Sequence, residues 1–167
     1  MLKKILTFLL SSSCVLSSAA TPLKVGDKLP DISLVDENSK PVALKSFLGR
    51  KMVLFFYPKD STPGCTKEAC SLRDSYDFFQ KNNIALIGIN YDTPASHKKF
   101  KDNYHLPFTL LTDVDGNAAK LLGAYTHWWH YFAPARITLI IDEQGIVRHI
   151  LPEVDVTSHA EQIKKLL

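Results

Sequence analysis

Lys51 to Cys70 reads KMVLFFYPKDSTPGCTKEAC. Its first part, Lys51 to Tyr57, is an almost unbroken apolar run, the pattern of a strand buried on both faces of a sheet. Pro58 and the turn-forming residues up to Gly64 end that run. From Thr66 to Asn82 the residues Ala69, Leu72, Tyr76 and Phe79 recur at steps of three and four, which predicts a helix. A buried strand passing through a short turn into a helix is a building unit of α/β sheets.

The flanking sequence extends this unit. Upstream, PDISLVDENSKPVALKSFLG reads as two short strands joined by a turn at Asp36 to Ser39. Downstream, Ile84 to Asn90 (IALIGIN) is a second buried strand. Pro94 to Tyr104 reads as a helix with proline in its first turn. PFTLLTD is a short strand, and Asn117 to Gly123 a short helix closed by Gly123. RITLIID, the turn EQG and IVRHIL give strand, turn and strand, and Ser158 to Leu167 closes the chain as an amphipathic helix. The order implies an α/β fold with a central mixed sheet flanked by helices, a thioredoxin-like layout with extra N-terminal strands.

The chain has 167 residues, 46% of them hydrophobic, enough for one domain with its own core. Residues 1–20 differ from the rest. A basic Lys3-Lys4 precedes an apolar run, then serines and the small residues Ser18-Ala19-Ala20, a signal-peptide pattern too short for an ordinary membrane span. The expected mature domain is 21–167, exported and periplasmic. Cys14 is a poor lipoprotein site, because Ser11 stands where leucine is usual. Removal of the leader takes Lys3 and Lys4 from a net charge of +3. The near-neutral remainder has no nucleic-acid footprint, and it keeps two cysteines, Cys65 and Cys70, in a compartment where disulfides persist.

Cys65 is expected in the first turn of the helix. The partial positive charge and free N–H groups of a helix N-terminus favour the thiolate, the reactive form of cysteine. A purely structural cysteine fits poorly among the small and polar neighbours of STPGC. Gly64 leaves room for a substrate to approach the backbone. On a regular helix, residues five apart lie about 7.5 Å apart along the axis and about 140° around it, roughly 8–9 Å between Cα atoms. A disulfide needs Cα atoms within about 7 Å. The pair therefore cannot close while the helix is intact, which suits a thiol that meets its partner only after a chemical event. Zinc is disfavoured, since two thiols at this spacing and scattered histidines do not make a four-ligand set.

PKDSTPGC, with Pro58, Thr62 and Cys65, resembles the peroxiredoxin motif. The longer FFYPKDSTPGCTKEACSLRD is similar to the bacterioferritin comigratory protein, or peroxiredoxin Q, branch. ARITLIIDEQGIV is similar to that family's arginine-bearing strand and hairpin, with Arg136 in the arginine position. The similarity runs from Leu23 to Leu167. It implies a thioredoxin-like fold of the peroxiredoxin type and reduction of hydrogen peroxide and organic hydroperoxides. It further implies that Cys65 is the peroxidatic nucleophile and Cys70 the resolving cysteine that forms a disulfide with it. Thr62 and Arg136 would bind and activate thiolate and peroxide, Gly64 would lend backbone donors, and Pro58 would shape the pocket. No metal, haem or flavin is required. A thioredoxin-like dithiol of the same compartment is the expected reductant, and a monomer the expected state, with a dimer as the alternative.

Other readings of the same residues stand beside these. Thr62 also reads as a turn or helix-cap residue, and Arg136 as one half of a surface ion pair. Arg73 reads as a salt bridge to Asp74 or Asp77. Trp128 and Trp129, in the aromatic run YTHWWHYFAPA, read as a pocket wall or a packed loop. A protein-disulfide oxidoreductase would carry CxxC, which is absent. A copper-delivery protein would leave PKDSTPGC unexplained.

Overall fold

The computed structural model describes residues 22–128 and 131–167. The expected leader, Cys14 and Trp129 lie outside the described residues. In chain order the elements are β1 (Ser33–Asp36), β2 (Pro41–Ala43), a 3-10 turn (Leu44–Phe47), β3 (Lys51–Phe56), α1 (Pro63–Asp74), α2 (Tyr76–Lys81), β4 (Ile84–Asn90), α3 (Pro94–Tyr104), β5 (Thr109–Thr112), α4 (Asn117–Leu121), β6 (Tyr125–Trp128), β7 (Tyr131–Pro134), β8 (Ile137–Ile141), β9 (Val147–Leu151) and α5 (His159–Lys164).

Seven strands form one mixed sheet in the order β2-β1-β5-β4-β3-β8-β9. The β3–β4 and β4–β5 pairs are parallel, and β3–β8, β8–β9, β1–β5 and β1–β2 are antiparallel. Successive strand residues point to opposite faces, so β3 feeds two cores. Met52, Leu54 and Phe56 join Ile87, Leu111 and the α4 residues Ala118 and Ala119 on one face. Val53, Phe55 and Tyr57 join Cys65, Ala69 and Leu72 of α1, Phe100 of α3 and Ile163 of α5 on the other. Each fully buried aliphatic or aromatic side chain contributes about 1.5–3 kcal/mol. In β4, Gly88 is required sterically: a Cβ there would stand 2.7 Å from both Leu110 Cδ2 and Phe55 Cζ.

Three elements differ from expectation. The helix expected over 66–82 starts at Pro63, which occupies a first-turn position where a missing N–H costs nothing. It also divides at Ser75 (φ −105, ψ 10) into α1 and α2. The apolar spacing runs through the break because Leu72 and Phe79 pack into the same core. The closing helix is shorter than expected, His159–Lys164. Finally, β6 and β7 form a separate two-stranded hairpin, with Tyr125 opposite Pro134 and Thr126 opposite Ala133. Trp128 ends β6 in a strand rather than a loop.

Candidate active site

The site lies where β3 passes into α1. Tyr57 is held to the sheet by its N–H donating to the Ile89 carbonyl, 3.3 Å. The loop then turns through half-buried Pro58, and Ser61 takes a left-handed φ of 58°. A non-glycine residue pays about 1–2 kcal/mol for that conformation, so the surroundings must hold it. Asp60 does so. Its buried carboxylate accepts from the Tyr57 hydroxyl (2.7 Å), Asn90 Nδ2 (3.0 Å) and the Ser96 hydroxyl (2.7 Å), and lies 2.9 Å from His97 Nδ1. Its own N–H donates to Asp92, 2.7 Å. The loop is thereby pinned to the end of β4 and the first turn of α3. Burial pushes the Asp60 carboxyl up, but His97, Ser96 and Tyr57 outweigh it and hold it below the ordinary value. Burial, followed by the charge of Asp60, drives the Tyr57 phenol well above its ordinary range.

Thr62 is the N-cap of α1, and Cys65 is the third helical residue. The first turn carries no acidic residue, so nothing there offsets the positive end of the helix. The Thr62 hydroxyl makes no capping bond and donates to the Lys59 carbonyl, 3.1 Å. A hydroxyl has one proton, so that bond and a bond to the Cys65 sulfur exclude each other, and Thr62 must turn to reach it.

Cys65 is 2% exposed and faces inward against β3. Arg136, just ahead of β8, meets it: Nη2 donates to Sγ at 3.4 Å. Gly64 adjoins the same nitrogen, since a Cβ on it would sit 3.5 Å from Nη2. Arg136 is thus no surface ion pair. Its other nitrogen, Nη1, bonds to Glu68 on α1, whose side chain is fully buried. Burial works against the Arg136 charge, but Glu68 and Cys65 outweigh it and hold the guanidinium above its ordinary value. Glu68 escaped the sequence reading. The signal was there: position 68 is one helical turn from Cys65 and falls within the buried stripe, where a charge demands a partner.

Cys65 and Cys70 are both free thiols, Cys65 buried and Cys70 half-buried, and α1 runs intact through both. Arg73 binds Asp74 (2.7 Å) and donates to the Tyr104 carbonyl (2.9 Å). Asp74 raises the Arg73 guanidinium, burial opposes this, and nearby Cys70 adds to the rise. Arg73 is thus committed to Asp74 and Tyr104, while Arg136 is the guanidinium in contact with Cys65.

A buried thiol at a helix N-terminus, touched by a charged guanidinium and poised above a half-buried second thiol, has the parts for thiolate attack followed by disulfide closure. The family described as AhpC/TSA matches residues 25–150. A peroxiredoxin of the bcp type from Coxiella burnetii is 37% identical over 145 residues, which cover 84% of this chain and 96% of that one. Chloroplastic peroxiredoxin Q of Populus jackii is 38% identical over 158 residues, covering 94% and 74%. Among solved structures, peroxidoxin BcpB of Mycobacterium tuberculosis superposes with a TM-score of 0.78 at 33% identity, covering 84% of this chain and 93% of that one. The bacterioferritin comigratory protein of Xanthomonas campestris, described for its alkyl peroxide reduction activity, gives 0.77 at 26%, covering 84% and 94%. With a central mixed sheet of the same kind, and with its thiol and arginine set where the sequence motifs put them, the chain belongs to the AhpC/TSA family, in the peroxiredoxin Q and bacterioferritin comigratory protein branch.

Proposed function

We propose that this peroxidase works through Cys65 as peroxidatic thiol and Cys70 as resolving thiol, with Arg136, Thr62, Gly64 and Pro58 forming the peroxide site. The chain is a thiol-dependent peroxidase of the peroxiredoxin family, which acts on hydroperoxides with thioredoxin-type reductants. The observation that supports the residue assignment is the 3.4 Å contact of Arg136 Nη2 with Cys65 Sγ in the first turn of α1.

The Cys65 thiolate attacks one peroxide oxygen. A sulfur–oxygen bond forms, the oxygen–oxygen bond breaks, and the departing alkoxide or hydroxide takes a proton to become alcohol or water. Arg136 offers N–H donors to the charge that develops on the leaving oxygen. Thr62, turned from Lys59, would hold the peroxide. Cys70 then attacks the sulfenic sulfur. A disulfide forms, and the sulfenic oxygen leaves as water with the Cys70 proton. Attack requires α1 to open between residues 65 and 70, since intact helical geometry keeps the Cα atoms beyond disulfide reach. A dithiol protein exchanges with the disulfide and restores both thiols.

Residues 1–20 are proposed to be an export signal, with 21–167 the working domain in the periplasm. A thioredoxin-like domain of that compartment would then be the reductant, and the enzyme a monomer. Mass spectrometry of the reduced mature protein, within seconds of one equivalent of hydrogen peroxide, tests the thiol assignment. The wild type loses two hydrogens, and Cys65→Ser does not react fast. Fast oxidation of Cys65→Ser would overturn the assignment.

A further inference from the structure

The Glu68 carboxylate has two oxygens, and Arg136 takes only Oε2. The other, Oε1, lies 3.1 Å from Nδ1 of His159 on α5, and both side chains are 0% exposed. As the atoms stand, the two are out of line for a hydrogen bond, and among the described residues neither has another hydrogen-bond partner. The far nitrogen of the ring, Nε2, is 2.8 Å from the hydroxyl of Thr138, buried on β8. The edge of the ring stands against Phe55 at 6.1 Å between centroids. A continuous series of contacts therefore runs Thr138, His159, Glu68, Arg136, Cys65.

We propose that His159 is a positioning residue for the reactive thiol, acting through Glu68 and Arg136. The guanidinium is a rigid planar fork. With Nη1 on Glu68 and Nη2 on Cys65, the tilt of the carboxylate sets the position of Nη2. A carboxylate gripped on one oxygen can still rotate about its side-chain torsions. His159 removes that freedom from the second side. In the proposed arrangement the ring proton sits on Nδ1, facing Oε1, and Nε2 accepts from the Thr138 hydroxyl. A small rotation of the carboxylate brings the pair into line. Phe55 and Thr138 fix the ring itself, and they belong to the paired interior strands β3 and β8. His159 thus ties the Cys65 environment to the interior of the sheet.

The proposal rests on Cys65 being the peroxide-reactive thiol, and its test separates the two. The second-order rate of Cys65 oxidation by hydrogen peroxide is measured by stopped flow in wild type, His159→Asn, His159→Gln and His159→Leu. The asparagine amide reaches the position of Nδ1, and the glutamine amide that of Nε2. His159→Leu and His159→Gln are expected to slow oxidation by about 10- to 100-fold, the scale of a small misplacement of a catalytic group. His159→Asn is expected to stay within about threefold of wild type on the same scale. A merely structural histidine would not distinguish the two amides. Equal rates in all four proteins overturn the proposal, as does His159→Asn being as slow as His159→Gln. A wild type that peroxide does not oxidise instead overturns the thiol assignment, whatever the variants do. If His159→Leu fails to fold, Thr138→Val and Thr138→Ser decide. The valine slows oxidation while serine preserves it, and a valine variant as fast as wild type overturns the proposal.

Discussion

Asp60 and His97, 37 residues apart in sequence, meet with Oδ2 2.9 Å from Nδ1 in a site closed to solvent. This contact joins the loop that leads to Cys65 to α3, which packs on the same face of the sheet as α1. It also ties loop stability to pH. The Asp60 carboxyl titrates below its ordinary value of 3.8. A depressed folded value means stability that is present above the unfolded value and lost as pH falls through the folded one. Stability is therefore expected to decline as the pH drops below about 4. Asp60→Asn should lower stability at pH 7 by about 1–3 kcal/mol and flatten the acid decline. Urea unfolding of both proteins at pH 7 and pH 3.5 measures this. Parallel pH dependence in the two would refute it.

Arg136→Lys keeps the charge and loses the fork. An ammonium cannot span Glu68 and Cys65 in the same fixed plane. Loss of the donor proposed to face the leaving oxygen is expected to slow peroxide oxidation of Cys65 by about 10²- to 10³-fold. Stopped-flow oxidation at fixed peroxide gives the number, and a change under threefold would remove Arg136 from the chemistry.

Glu68→Ala strips the counter-charge from a largely buried guanidinium. Breaking a buried pair from one side costs about 3–5 kcal/mol. Arg136 keeps 21% of its side chain exposed, which places the loss toward the lower end. A denaturation midpoint unchanged from wild type would show that water already satisfies Arg136.

Lys67 is exposed on α1 between the two thiols. Glycine in a helix interior costs about 1 kcal/mol relative to better formers. Lys67→Gly is therefore expected to ease local opening and speed disulfide closure about fivefold, leaving the peroxide step nearly unchanged. Rapid-quench trapping of the sulfenic acid separates the steps. A closure rate indifferent to Lys67→Gly and Lys67→Ala would mean that helix opening does not limit it.

Much of this was legible in the sequence because each signal was local. The buried runs at Lys51 and Ile84, the proline at the start of α3 and the turn at Asp36 all read correctly from neighbours in the chain. The β6–β7 hairpin did not, since YTHWWHYFAPA lacks both polar alternation and a glycine turn. The split at Ser75 was hidden by Tyr76 and Phe79, which keep helical spacing across a bend. Arg136 was found through its motif. Glu68 and His159 were missed, because a lone acid on a helix ordinarily faces water. What gives them meaning is tertiary: Glu68 meets Arg136 68 residues away and His159 further still. Asp60 and His97 escaped for the same reason.

The alternation of side chains along β3 has a mechanical consequence. Both thiols, α3 and α5 belong to one side of the sheet, while α4 and the core around Leu54 and Phe56 belong to the other. The sheet is a bulkhead. Opening α1 to join Cys65 and Cys70 disturbs one compartment and leaves the second intact. The protein can thus undo part of itself in every catalytic cycle and still keep a folded template against which that part re-forms.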